Sequence, residues 1–186
     1  MKNTQKINKI STSTMAVVAL MTAVLCVLAP FSIPVGPIPI SFATLGLYLA
    51  VIILGGKKAT IVCLMYLLIG FVGLPVFSGF SGGPAKLMGP TGGYFFGYLL
   101  LTIVAGWFVD KFPGKRGMCL LGLVLGTVAC YVVGTAWLAV QMGISFGAAL
   151  MLGVVPFLIG DVVKICLATW IGTLIRGRIR IAGHRM

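Results

Sequence analysis

The chain has 186 residues, of which 60% are hydrophobic and only 9% charged, and its mean hydropathy is +1.16. A soluble domain covers its surface with about one charged residue in four, so this composition excludes an ordinary soluble domain. It predicts a polytopic membrane protein. The formal net charge is +12, because 14 Lys and Arg residues face only two acidic residues, Asp110 and Asp161.

Six hydrophobic spans follow one another along the chain, and they predict an all-α membrane protein with a single domain over 1–186. A spanning helix needs about 20 mostly apolar residues. The interruptions place the spans at roughly 13–29, 40–55, 58–74, 91–109, 117–142 and 150–175. The second and third spans are short and meet at GGKK (55–58). A single merged span would be too long for a bilayer, so two spans joined by a tight turn fit better.

The first ten residues begin like a signal peptide, but no small-residue cleavage site precedes a soluble domain.

The basic residues support this division and give an orientation. With six spans, 12 of the 14 fall on one side of the membrane: Lys2, Lys6, Lys9, Lys57, Lys58, Lys111, Lys115, Arg116, Arg176, Arg178, Arg180 and Arg185. Lys86 alone falls on the other side, and Lys164 lies within the sixth span. The positive-inside rule then predicts cytoplasmic N- and C-termini. The charges are scattered over four segments, so they favour contact with anionic lipid heads over nucleic-acid binding.

The sequence contains no motif that is typical of a catalytic site or a metal site. The cysteines, which all lie in or near apolar spans, form no CxxC or Cys/His pair: Cys26, Cys63, Cys119, Cys130 and Cys166. A disulfide frame or metal site is therefore not indicated, and the one histidine, His184, lies in the basic tail. Neither a GxxxxGK[ST] phosphate loop nor a Ser/His/Asp set occurs. We expect no catalysis, no ATPase activity and no cofactor from this chain.

Two loops on the side opposite the basic residues differ from the rest. PFSIPVGPIPIS (30–41) contains four of the nine prolines, which favour extended backbone over helix. GLPVFSGFSGGPAKLMGPTGGY (73–94) is rich in glycine and is either a floppy connection or a lid. Its apolar residues favour a lid that packs over a site: Leu74, Pro75, Val76, Phe77, Phe80, Leu87 and Met88.

A charged pair interrupts the last span, PFLIGDVVKICLA (156–168). If the helix enters near residue 150, Asp161 lies about 16 Å below its start, and Lys164 is on the same face because i and i+3 are neighbours. Ionisable residues at this depth cost several kcal/mol unless they are paired or face a wet cavity. The pair is either a structural ion pair or a polar site beneath the lid, open to the outside.

The motifs GGPAKLMGPTGGYFFGY (82–98) and PFLIGDVVK (156–164) resemble the BioY family, the biotin-specific substrate-binding (S) subunits of energy-coupling-factor transporters. The resemblance implies a compact six-helix bundle in the cell membrane with a vitamin pocket near its outer face. It also implies a transmembrane coupling protein (T component) and a pair of ABC-type ATPases as partners. Small residues on the first span are similar to the AxxxA patch that contacts the coupling protein in this family: Ala16, Ala19 and Ala23.

The resemblance makes biotin the expected ligand and assigns roles to the candidate residues. Lys164 would neutralise the biotin carboxylate, while Asp161 would accept the ureido N–H groups or only hold Lys164 in place. The remaining candidates are a lid hydroxyl, lid glycines, a lid cation and apolar walls: Ser81, Gly82, Gly83, Lys86, Phe77, Tyr94 and Trp137. The alternatives are an S subunit for another small vitamin and a membrane scaffold with a structural Asp–Lys pair.

Overall fold

The computed structural model describes residues 12–35 and 38–183, and within these ranges the protein is mostly helical. The elements in chain order are α1 Thr12–Leu28, β1 Ser32–Val35, β2 Ile38–Ser41, α2 Ala43–Leu54, α3 Gly56–Phe71, α4 Pro84–Met88, α5 Gly92–Lys111, α6 Arg116–Met142, α7 Phe146–Gly153 and α8 Val155–Gly183. By length and composition, three of these helices can cross a membrane, namely α5, α6 and α8. The shorter helices α1 and α2 are also apolar. The helical membrane fold is thus confirmed, and the count of six spans stays a prediction.

The proline-rich segment after α1 forms an antiparallel β-hairpin. β1 pairs with β2 so that Pro34 lies opposite Pro39, and a two-stranded ribbon tolerates prolines because its outer edges need no N–H donors. The prediction of extended backbone is therefore confirmed. The fold is mostly helical, with this short hairpin as its β-structure among the described residues, and the second helix begins at Ala43, close to the predicted start near residue 40. Ser41 ends the hairpin, where its hydroxyl donates to the Ala29 carbonyl (2.7 Å) and accepts from the Ala43 N–H (3.0 Å).

The predicted sixth span is broken into α7 and α8 at Val154, whose backbone leaves the helical region (φ −128°, ψ −52°). Pro156 lacks an N–H to continue the ladder, and its ring clashes with a preceding carbonyl inside a helix, although it is tolerated in a first turn. The Tyr94 hydroxyl donates to the Gly153 carbonyl at the break (3.0 Å). Because α8 begins at Val155, Asp161 lies about 9 Å along the helix axis from the start of α8. The expected 16 Å was counted from residue 150, before the break.

Glycines let the central helices approach one another closely. A Cβ at Gly97 would lie 2.7 Å from the Cys130 sulfur, and one at Gly126 would lie 2.9 Å from the Leu101 carbonyl oxygen, so α5 and α6 could not pack this way with larger residues. α3 meets α5 where Gly56 contacts the backbone of Gly106. These contacts fix the positions of α5 and α6, which carry much of the site described below.

The basic segments meet at one end of the bundle. Asp110, at the end of α5, accepts a hydrogen bond from the Gly56 N–H at the start of α3 (3.0 Å), and a carboxylate is favourable at a helix N-terminus. Arg176 of α8 donates to the Ile52 carbonyl near the end of α2 (2.9 Å). The α2–α3 turn, the α5–α6 turn and the end of α8 therefore lie together, as the charge distribution predicts. Five of the predicted residues lie outside the described ranges: Lys2, Lys6, Lys9, His184 and Arg185.

Candidate functional site

A small, partly open cavity lies among β2, α2, α5, α6 and α8, and residues of the glycine-rich loop also line it. Its volume is about 50 Å³. The lining combines an apolar and aromatic wall with several hydroxyls and two charges: Ile38, Pro39, Ser41, Thr44, Ser78, Thr91, Tyr94, Phe95, Tyr98, Leu101, Thr127, Cys130, Tyr131, Phe157, Asp161 and Lys164. Such a mixture, mostly apolar with a few placed polar groups, is typical of small-molecule sites.

Asp161 and Lys164 form a buried ion pair in this cavity, with exposed fractions of 5% and 8%. Their Oδ1 and Nζ atoms are 3.0 Å apart. Lys164 Nζ also donates to the Ser41 carbonyl (2.8 Å) and to the Thr44 hydroxyl (3.2 Å). An ammonium carries three N–H donors, so each of them has a partner. β2 and the first turn of α2 thus hold the lysine of α8.

Both carboxylate oxygens of Asp161 are also hydrogen-bonded. Oδ1 accepts from Lys164 and from the Thr44 hydroxyl (3.3 Å), and Oδ2 accepts a short hydrogen bond from the Tyr131 hydroxyl of α6. Below them, the Tyr48 and Thr127 hydroxyls bond to each other (2.8 Å). A buried ion pair is tolerated when such bonds satisfy its polar atoms. The Asp161 cluster (Asp161, Lys164, Thr44 and Tyr131) is therefore neutral and hydrogen-bonded throughout.

The glycine-rich loop packs onto the bundle beside this cavity. Phe77 is fully buried and its ring packs on Tyr66 and Phe95 (centroids 5.5 and 4.4 Å apart). Backbone bonds tie the loop down, from the Gly79 N–H to the Pro30 carbonyl (3.0 Å) and from the Gly83 N–H to Gly70 (2.7 Å). A floppy connection is thus wrong for this loop. Of its apolar residues, Val76 and Leu87 are half-buried, but Leu74, Pro75, Phe80 and Met88 are exposed.

Three predicted site residues, Asp161, Lys164 and Tyr94, line the cavity. Six others do not: Phe77, Ser81, Gly82, Gly83, Lys86 and Trp137. Phe77 anchors the loop, the Ser81 hydroxyl donates to the Ser78 carbonyl (2.9 Å), and the Trp137 indole N–H donates to the Gly89 carbonyl (3.0 Å). Contact between these six and a ligand stays a prediction.

Sequence reasoning missed Tyr131 and Thr44, which bond directly to the ion pair. A signal was available, because Thr127 and Tyr131 are polar residues four positions apart in the middle of an apolar span, and Thr44 and Tyr48 repeat that spacing in α2. Residues i and i+4 share a helix face. Ser41 could not be found this way, since it contributes its backbone carbonyl.

The small residues of α1 share an exposed face. Ala16, Ala19 and Ala23 are all exposed on α1, beside the large apolar side chains of Leu20 and Val27. Small residues at this spacing let a second helix come close. Which helix packs there stays a prediction.

The fold and the cavity indicate the class of protein: a helical membrane protein with a buried polar cluster beside an apolar cavity. Ionisable residues within membrane helices often mark functional sites.

The chain belongs to the BioY family, whose profile matches residues 1–180. It is 34% identical to the biotin transporter BioY2 of Lactococcus lactis subsp. cremoris, over 91% of this chain and 92% of that protein. It is 36% identical to a probable biotin transporter BioY of Pyrococcus horikoshii, over 87% and 95% of the two chains. The family resemblance is thus confirmed, and with it a multi-pass transporter subunit of the cell membrane.

A solved structure shares the fold. The match is to the 2.1 Å crystal structure of the S-component for biotin from an ECF-type ABC transporter, with a TM-score of 0.83, 32% sequence identity and 95% of each chain covered. At this coverage the likeness extends over the whole bundle.

Proposed function

We propose that this chain is the biotin-binding S subunit of an ATP-driven vitamin importer. It takes biotin from the outer side of the membrane and delivers it with a T component and a pair of ABC-type ATPases. The observation that carries this proposal is the cavity itself, in which the buried Asp161–Lys164 pair lies beside aromatic, apolar and hydroxyl side chains. The relatives named as biotin transporters and the solved S-component for biotin support it.

The Asp161 cluster binds the ureido end of biotin. Asp161 and Lys164 are 3.0 Å apart, so they contact the same end of an extended ligand. Because the pair is already neutral, a ligand carboxylate would leave one uncompensated negative charge in a buried site, which is costly. The ureido group is neutral. One of its N–H groups can bond to Asp161 Oδ2, which accepts from Tyr131 alone among the described residues, and its carbonyl can displace the Thr44 hydroxyl from the Lys164 ammonium. This assignment is an alternative to the prediction that Lys164 neutralises the biotin carboxylate, and the Lys164→Met variant separates the two.

The valerate chain and carboxylate of biotin then extend toward the glycine-rich loop. Ser78 and Thr91 line that part of the cavity with hydroxyl groups. Lys86, half-buried in α4 of the same loop, does not line the cavity but is the one cation of that loop, and it is the candidate partner of the carboxylate once the loop moves. The aromatic wall of Tyr94, Phe95 and Tyr98 covers the apolar middle of the ligand.

Biotin reaches the cavity only if the loop or the hairpin moves. A cavity of about 50 Å³ is much smaller than the 300–1,000 Å³ of most ligand pockets. The hairpin and the loop are joined through the Gly79–Pro30 backbone bond and through the edge-to-face rings of Phe31 and Phe80 (centroids 5.5 Å apart). We propose that these two segments act together as a lid.

Six spans with both termini in the cytoplasm complete the proposal. The basic end formed by the α2–α3 turn, the α5–α6 turn and the end of α8 supports this orientation. The lid then faces outward. The exposed Ala16, Ala19 and Ala23 face of α1 is the contact with the T component.

Thermal unfolding of the detergent-purified chain with a panel of vitamins tests the function. A ligand at 100 times its Kd adds about 2.7 kcal/mol to stability, so biotin should raise the unfolding midpoint at low concentration while thiamine and riboflavin should not. Stabilisation by another vitamin alone would assign the chain to that vitamin. Stabilisation by none would favour a scaffold with a structural ion pair.

A further inference from the structure

A surface groove runs between α6 and α8, and two residues of α7 also line it. Its volume is about 350 Å³. Most of the groove consists of branched apolar side chains on the two long helices, namely Val124, Val128 and Val132 of α6 and Leu158, Val162 and Ile165 of α8. Steps of three or four residues place them on one face of each helix. The two faces form the walls of the groove.

The Asp161 cluster lies between this groove and the cavity described above. Thr127, Tyr131 and Asp161 line both of them. Their polar atoms bond inside the bundle, since the Tyr131 hydroxyl donates to Asp161, Asp161 pairs with Lys164, and the Thr127 hydroxyl donates to the Leu123 carbonyl (2.8 Å). The groove therefore receives only the apolar parts of these side chains.

The depth of the groove places it in the hydrocarbon part of a membrane. Val124 and Val132 lie about 12 and 24 Å from the start of α6 at 1.5 Å per residue, in the middle of a 27-residue helix that is apolar enough to cross a membrane. Val128 and Val162 are 50% and 60% exposed, so the groove is continuous with the lipid-facing surface of both helices. Ordered water does not occupy a space with apolar walls.

The side chains of the groove favour a lipid chain over a transmembrane helix. Interfaces between membrane helices are enriched in small residues, which let two backbones approach, as Gly97 and Gly126 do between α5 and α6. Among the described residues that line the groove, none is glycine, alanine or serine. A flexible hydrocarbon chain can follow such a surface without a close approach of backbones.

We propose that one acyl chain of a membrane phospholipid lies in this groove and closes the lipid side of the Asp161 cluster. The chain packs on the Tyr131 ring and on the methyl groups of Val128 and Val162, which otherwise lack these contacts. It thereby supports the bond between Tyr131 of α6 and Asp161 of α8, which joins the two helices across the groove. Binding of the chain is independent of biotin, whereas its effect on biotin affinity rests on the proposed function.

Two adjacent valines of α8 give a matched pair of variants for the test. Val162 and Val163 are each 60% exposed, but Val162 lines the groove and Val163 does not. The wild type, Val162→Phe and Val163→Phe are purified in a sterol-based non-ionic detergent, which has no flexible alkyl chain to compete for the groove. Each is titrated with dioleoylphosphatidylcholine, dioleoylphosphatidylglycerol or glycerophosphocholine, a head group without chains. Native mass spectrometry counts the bound molecules.

We expect the wild type and Val163→Phe to retain one molecule of either phospholipid and none of glycerophosphocholine. Val162→Phe should retain no phospholipid, because the ring fills the space of the chain. The unfolding midpoint without lipid shows whether each variant is folded, and Val128→Phe on the opposite wall should give the same loss if Val162→Phe is unfolded. Equal retention by the groove variants and Val163→Phe would overturn the proposal. Retention of only one phospholipid would also overturn it, because the head group would then be recognised.

Titration of biotin into the same samples tests the effect on the Asp161 cluster. Wild type without phospholipid should bind biotin about 10-fold more weakly than wild type with it, the factor for losing a hydrogen bond to a charged group. Val162→Phe should not respond to phospholipid, because its ring replaces the chain. Equal biotin affinity of the wild type with and without phospholipid would overturn this role of the chain. Retention of phospholipid by a wild type that binds no biotin would support the groove site and contradict the proposed function.

Discussion

At the scale of single residues, the ion pair of α8 is held by side chains from three other elements. Tyr131 of α6, Thr44 of α2 and the Ser41 carbonyl of β2 all bond to it. These bonds hold the pair in one geometry before any ligand arrives. Tyr131 is the simplest of the three partners to test, because its hydroxyl can be removed while its ring is kept.

Tyr131→Phe removes the hydrogen bond to Asp161 Oδ2 and keeps the ring. Hydrogen bonds to charged groups are worth about 1.5–3 kcal/mol, so we expect biotin to bind roughly 10- to 100-fold more weakly in a titration of the purified protein. Tyr66→Phe is the matched control, because the buried Tyr66 hydroxyl has no hydrogen-bond partner among the described residues. It should leave affinity unchanged. Equal affinity of Tyr131→Phe and wild type would show that Tyr131 does not position Asp161 for the ligand.

Lys164→Met tests which end of biotin the Asp161 cluster binds. Removing one partner of a buried charged contact costs about 2–5 kcal/mol. If Lys164 contacts the ureido carbonyl, the variant should lose the same factor in affinity for biotin and for biotin amide, which lacks the carboxylate charge. A loss confined to biotin would restore the original expectation that Lys164 binds the carboxylate. The unfolding midpoint of the variant checks that it is folded.

At the scale of elements, hydropathy predicts the long helices well and the irregular segments poorly. α1, α5 and α6 lie within a few residues of their predicted spans, because continuous apolar runs have few other structures in a membrane. The break at Val154 has a sequence signal in Pro156, but the Tyr94 bond to Gly153 that accompanies it is a long-range contact. The hairpin also depends on pairing between strands, which hydropathy does not report.

The α1 face gives a prediction at this scale. Ala19→Leu/Ala23→Leu should prevent copurification with the T component and leave biotin binding intact, because larger side chains force two helix backbones apart. Ala136→Leu, at an exposed position of α6, is the control and should copurify normally. Normal recovery of the complex with the double variant would show that this face of α1 does not contact the T component.

At the scale of the whole molecule, the charge distribution predicts which segments lie together, and the order of the motifs predicts the family. Neither predicts where each site residue lies. Three of the four basic segments, those within the described residues, meet at one end of the bundle as their spacing indicates. The sequence alone predicts the ion pair, because Asp161 and Lys164 are three residues apart in one helix. The remaining lining residues come from five separate elements, and no local pattern specifies how those elements pack. For that reason Ser81 and Trp137 were candidates and Tyr131 was not.

The orientation of the bundle can be tested in intact cells. In a cysteine-free background, single cysteines at the exposed positions Ile33 and Phe80 should react with a membrane-impermeant maleimide from outside. Cysteines at the exposed positions Lys57 and Lys115 should react only after the membrane is opened. The reverse pattern would contradict both the cytoplasmic termini and the outward-facing lid.

Calorimetric titration of biotin into the purified wild type and Asp161→Asn tests whether the Asp161 cluster binds biotin. We expect one biotin per wild-type chain and a loss of about 2–5 kcal/mol in binding free energy for the variant, because Lys164 and the ureido N–H groups both lose the carboxylate. The unfolding midpoint must show that the variant is folded. Wild-type affinity in folded Asp161→Asn, or no biotin binding by the wild type, would contradict the account.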